Sequence, residues 1–289
     1  MSHASPHAAH DGAHPHAPHK PDADDQAEIL DLDAEVLAEH IASITAWLPL
    51  ETKPRQIVDL GCGTGAGTFA LLSRFPDAQV TAVDTSAGHL TRLRTRAEAL
   101  GVADQIRTVP ADLDAEWPDL GRPDLVWASA SMHHMADPDR TLRGVHDLLA
   151  PGGLFAVVEL AGFPRFLPAD APKERPGLED RCHAALAHHD AEHMPHRGAD
   201  WGPKLAAAGF TVEGERTIPV NVDGSHSSAV GRYALSSLKH LRSGAAHALS
   251  PDDLIVLDQL LDTDGPNSVL RRGDLAVRTE RTVWAARRA

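Results

Sequence analysis

A few carboxylates, glycines and histidines carry the chemistry this chain can do. Val58-Asp59-Leu60-Gly61-Cys62-Gly63-Thr64-Gly65 runs from a short apolar stretch into a glycine-rich turn that opens a helix. Such a turn lets the backbone approach a ligand closely and leaves the first helical amides free for a phosphate or a carboxylate. Asp84 stands nineteen residues beyond Gly65, at the end of a second apolar stretch, where its carboxylate can accept from both hydroxyls of a ribose. Asp59 lies two residues before the first glycine, a position that suits an ammonium and would be unwelcome beside a pyrophosphate. Asp112 in Ala111-Asp112-Leu113 can accept from an adenine amino group while Leu113 covers its ring. No GK[ST] follows the glycines, which excludes a nucleoside triphosphatase loop. Gly61-x-Gly63-x-x-Ala66 also reads as a dinucleotide fingerprint, so a nicotinamide-dependent oxidoreductase stays open on the glycines alone.

Histidines form the second set. His133 and His134 follow the fourth apolar stretch, and a neutral imidazole there can take a proton from an acceptor or simply pack in the loop. His183, His188, His189, His193 and His196 cluster with Asp190 and Glu192; His189 and His193, four apart, share a helix face. No third ligand is assured, so no metal is expected there, and a polar cap over the bound ligand is the preferred reading. Six more histidines lie within the first nineteen residues, among Ala and Pro and without large apolar partners. Residues 1–25 therefore read as a disordered tail. Cys62 reads as a small spacer in the turn rather than a nucleophile.

These groups need elements to hold them. Apolar positions from Ile29 to Trp47 and Leu48 recur at helical intervals. Strands are expected at 57–60, 79–84, 106–109, 124–128 and 154–160, alternating with helices. That alternation means a parallel sheet covered on both faces, and right-handed crossovers make it doubly wound. Further strands are expected at 210–220 and 275–285. Helices are expected at 178–193, 201–208, 230–241 and 251–262.

The 289 residues carry 27 Lys and Arg against 41 Asp and Glu, a formal charge of −14. That balance argues against nucleic acid as a partner. No apolar run is long enough for a membrane-spanning helix, and the chain begins with neither the basic end nor the apolar stretch of a secretory signal. With two cysteines there is no disulfide framework. A cytoplasmic protein is the expectation.

Taken together, VDLGCGTG, AVD, ADL, DLVWASASMHHM and LLAPGGL resemble, in order and approximate spacing, the class I S-adenosylmethionine-dependent methyltransferases. The resemblance covers about residues 30–160 well and the last strands more loosely. It implies an α/β, doubly wound, mostly parallel seven-stranded sheet of the Rossmann-like methyltransferase type with helical cap insertions, in a domain spanning 26–289. It implies S-adenosylmethionine as cofactor: Asp59, Gly61, Gly63 and Gly65 around its methionine part, Asp84 and Thr85 at the ribose, Asp112 and Leu113 at the adenine, and Ser129 near the sulfonium. His133 would border the methyl group as the catalytic residue. Residues 163–200 are expected to form a lid over the cofactor and acceptor. The helical insertion 225–265 is expected to pack outside or mediate a dimer. The implied reaction is methylation of a small-molecule acceptor on oxygen, nitrogen or carbon. The alternative is a cofactor-binding module, or a non-methylating enzyme, on the same fold.

Overall fold

The computed structural model describes residues 23–225 and 227–289, with the backbone alone for residues 188–193. Most of the expected tail lies outside the described residues, and the first described helix begins at Ala23. Strands β1 (Gln56–Leu60), β2 (Gln79–Asp84), β3 (Ile106–Pro110), β4 (Leu125–Ser129) and β5 (Leu154–Leu160) are parallel. With β6 (Phe210–Asp223) and β7 (Ala276–Arg288) they form one seven-stranded sheet in the order β3-β2-β1-β4-β5-β7-β6. β7 runs antiparallel to both β5 and β6. The winding reverses between β1 and β4, and at such a switch point the crevice beyond the strands' carboxyl ends takes a ligand.

The strands are apolar on both sides because helices cover both sides. Ile57, Trp127, Ala156 and Val283 face α2 (Ala38–Trp47) and α3 (Ala66–Arg74). Val58, Val126, Val157 and Trp284 face α5 (Pro138–Leu148) and α7 (Trp201–Ala207). α4 (Ala87–Leu100) begins where Ser86 accepts from the His89 amide and ends at Gly101 with φ 70°, and α5 begins at an Asp137 cap followed by Pro138.

A third apolar cluster gathers α1 (Ala23–Val36), α6 (Leu178–His193), α8 (Ser228–Ala245) and α9 (Pro251–Leu261) around Phe166, Leu167 and Tyr233. The single amphipathic stretch read from Ile29 to Leu48 is two helices, α1 and α2, with Leu37 between them buried at 1% exposure. That break lets α1 join the outer cluster while α2 stays on the sheet. Between β6 and β7, α8 packs on α1 and α6 of the same chain and α9 packs on α8. Glu179 on α6 ties the segment after β5 into this cluster, accepting from the Phe166 and Leu167 amides at 2.8 Å each. Glu179→Ala should strand both buried amides and lower stability by about 1–3 kcal/mol for each, while Glu179→Gln should lose less; urea unfolding of the two variants checks this.

Candidate active site

A cavity of about 490 Å³ opens at the carboxyl ends of β1, β2 and β4. Its floor is the turn after β1. Gly61 and Gly63 have φ of 66° and 53°, values that β-carbon-bearing residues avoid. A Cβ on Gly61 would lie 2.4 Å from the Ser131 Cβ, so the turn and the loop after β4 cross with no room for a side chain. Gly65 (φ 100°) is absent from the cavity lining; there the space a Cβ would need is filled by Phe69 and Leu93.

Asp59 is 1% exposed and accepts from the Thr68 hydroxyl at 2.6 Å. Burial disfavours its charge, Thr68 counteracts this, and nearby Asp84 adds to it, so its pKa rises to about 7. Asp84 accepts the Gly63 and Ser86 amides at 2.8 Å each, and His89 Nδ1 stands 3.4 Å away. Burial works against the Asp84 charge, but His89 and the two amides outweigh it and hold the pKa below the usual carboxylate range. Burial, with Asp59 and Asp84 nearby, pushes the Cys62 thiol far above its ordinary range, which rules it out as a nucleophile.

Thr85, Asp112, Leu113 and Ser129 also line the cavity. Next to Ser129, Ala130 takes φ 52°, an uncommon conformation for a residue with a side chain. His133 is placed otherwise than the sequence suggested. It is 2% exposed, absent from the cavity lining, and bound through Nδ1 to Glu159 at 2.6 Å. The short turn Met132–His134 carries His134 into the wall instead. Protein packed along its flank, with added repulsion from His133 and Arg197, lowers the His134 pKa to about 4, so the ring is neutral at physiological pH.

The remaining wall comes from places no motif marked: Gln26, Leu30 and Asp33 on α1, His40 and Ile41 on α2, and Arg281 on β7. α1 and α2 thus cover this cavity, and none of residues 163–200 is among its described lining. That segment supplies Phe163, His183 and Met194 to a separate cavity of about 900 Å³ past the end of β5. The side chains of His189 and His193 lie outside the described residues; among described residues, no three His, Cys, Asp or Glu gather as a metal set.

Residues 58–155 match the family model of a methyltransferase domain. This region matches as a methyltransferase domain, the family that the sequence motifs resemble. The chain is 40% identical over 116 residues to a trans-aconitate 2-methyltransferase of Methylobacterium radiotolerans, 40% of this chain and 42% of that protein. It is 32% identical over 155 residues to the 27-O-demethylrifamycin SV methyltransferase of Amycolatopsis mediterranei, 53% of this chain and 55% of that one. The matches span about half the length of these relatives or less. A solved geranyl diphosphate C-methyltransferase of Streptomyces coelicolor shares the fold at 15% identity, with a TM-score of 0.51 over 94% of this chain and 89% of that one. Among the described residues, no helix is long and apolar enough to cross a membrane.

The methyltransferase cavity passes a test of fit. Thr64 Oγ1 and Trp127 Nε1 are buried, lack a hydrogen-bond partner among the described residues, and belong to lining residues. Buried polar atoms left unpaired are costly, and their gathering here suits a ligand as rich in polar groups as the family's donor. An ammonium docked on Asp59 requires that carboxylate ionised, so binding below its pKa must expel a proton. Affinity for S-adenosylhomocysteine, which carries the ammonium, should be about tenfold weaker at pH 6 than at pH 8. Calorimetry across that range should find the dependence gone in Asp59→Asn.

Proposed function

We propose that this chain transfers the methyl group of S-adenosylmethionine to a small-molecule acceptor. The observation that carries the reading is one cavity holding Asp59, Asp84 and Asp112 at the tips of successive parallel strands, with Thr64 Oγ1 and Trp127 Nε1 buried there and without partners among the described residues. Asp59 takes the donor's ammonium, Thr64 Oγ1 its carboxylate, Asp84 the ribose hydroxyls, and Asp112 with Leu113 the adenine. The glycine turn admits the methionine part, and Thr85 and Ser129 complete the wall. The acceptors named for the two relatives, trans-aconitate and 27-O-demethylrifamycin SV, are small molecules and support the same class here.

Bound in this way, the donor supplies a methyl group made electrophilic by its sulfonium. The chain's part is to orient the acceptor and exclude water, effects that together reach about 7 kcal/mol or more. α1 and α2 close the cavity from above. His134, neutral and facing the cavity, accepts a hydrogen bond from the acceptor's nucleophilic group. His133 is a positioning residue, held by Glu159 so that the turn keeps His134 in the wall. Residues 163–200 form the acceptor's approach: Arg197 of this segment is close enough to depress the His134 pKa, and the cavity beyond β5 opens beside it.

Asp84→Asn should weaken S-adenosylmethionine binding about tenfold or more, since hydrogen bonds to a charged group contribute about 1.5–3 kcal/mol. Unchanged calorimetric affinity would remove the ribose assignment and with it the donor reading. His134→Ala should lower kcat while leaving donor affinity within about threefold. In the parent enzyme kcat should show no titration of this ring between pH 5 and 8. A steep dependence in that range that vanishes in His134→Ala would contradict the role given to it.

A further inference from the structure

Five carboxylates line the methyltransferase cavity, Asp33, Asp59, Asp84, Asp112 and Asp114, and among the described lining residues Arg281 is the only arginine or lysine. Arg281 is 8% exposed and stands on β7 opposite Leu160 of β5. Its Nη2 donates to Asp33 Oδ1 at 2.8 Å, and the same oxygen accepts from the Tyr233 hydroxyl at 2.6 Å. Those contacts fix the plane of the guanidinium, yet Nη1 is buried without a partner among the described residues. His40 Nδ1, reaching the cavity from α2, is a second buried atom without one among the described residues.

A guanidinium fixed on one edge and unpaired on another is the geometry that takes a carboxylate. We propose that Arg281, assisted by His40, anchors a carboxylate of the methyl acceptor, so that the substrates of this site are organic acids. The inference rests on the donor reading of the same cavity.

Strand order favours the acceptor over the donor as the partner of this anchor. The donor's carboxylate and ammonium share one carbon, and the ammonium belongs at Asp59 on β1. β7 lies three strand intervals from β1, roughly 14 Å at the usual spacing, farther than an arginine side chain spans. Thr64 Oγ1, in the turn itself, is the nearer partner for the donor's carboxylate. An anionic acceptor drawn to the far end of an otherwise acidic cavity then has its acid group held away from the methyl, with the remainder of the molecule directed back toward His134.

The test is titration of the enzyme saturated with S-adenosylhomocysteine, using benzoate, succinate and tricarballylate beside their amides. At least one acid should bind where its amide does not. Arg281→Met should weaken that acid about 10- to 100-fold while changing S-adenosylhomocysteine affinity less than threefold. Arg281→Lys, which retains the charge beside Asp33, should lose less and guards against misfolding of the first variant. Indifference of the enzyme between every acid and its amide would overturn the proposal. So would a tenfold loss of S-adenosylhomocysteine in Arg281→Met matched by an equal loss of its decarboxylated analogue in the parent, for that places Arg281 on the donor. Failure of the parent to bind S-adenosylhomocysteine at all would instead strike the donor reading.

Discussion

The backbone of the turn after β1 touches the loop after β4 at a distance only glycine permits. Gly61 would place a Cβ 2.4 Å from that of Ser131, and the Ser131 hydroxyl donates back to the Leu60 carbonyl at 2.8 Å. This crossing fixes the two strand ends that border the switch point of the sheet. On one side it holds Asp59 in the wall of the cavity. On the other it fixes where the loop carrying Ala130, His133 and His134 must run. Glu159 then secures the loop from the next strand by accepting both the backbone amide and Nδ1 of His133. Three adjacent strands, β1, β4 and β5, are thereby locked into one rigid floor, the condition for aligning two reactants.

Electrostatics divide that cavity. Its donor end is lined by carboxylates kept in different states by their surroundings. Asp84, supplied with two amides and His89, stays ionised, while Asp59, buried with one hydroxyl partner, sits near about 7. An ionised Asp59 without a cation beside it would place two like charges close together in a dry site, which protonation relieves. A ligand bearing a cation reverses that preference, so charge complementarity is created on binding rather than held in advance at the cost of stability.

How much of this the sequence disclosed follows from how local each constraint is. The β1 turn, Asp84 and Asp112 each sit within a few residues of a strand end, and strand ends are marked by apolar runs, glycines and caps. The sheet and its switch point were legible for the same reason. His133 and His134 were found as a pair, but which ring lines the cavity was not legible, because a one-residue rotation of a short 3₁₀ turn decides it and no pattern records it. The cover was sought after β5, where the chain is long and irregular, and is supplied for the donor cavity by α1 and α2. Their stretch read as one amphipathic helix; Leu37, buried at the break, has the apolar character of any core position.

The acceptor end could not be read at all from neighbouring residues, since its parts meet only in the folded chain. Asp33 and Arg281 are 248 positions apart, and Asp33 and Tyr233 are 200 apart. Arg281 lies among several arginines of the last strand that in sequence are interchangeable. Arg287 pairs with Glu213 and caps the Pro49 and Gly152 carbonyls, and Arg278 donates to the Leu167 carbonyl, all ordinary surface and strap contacts. What singles out Arg281 is that α1 folds over β7 and buries it beside the cavity with one nitrogen unsatisfied. The same helix that covers the cavity therefore shapes the end proposed to take the acceptor. Changes in α1 or α8 that shift the Asp33–Tyr233 pair would re-aim Arg281 without touching any residue of the glycine-rich turn, so under the proposed anchor they would alter acceptor choice alone.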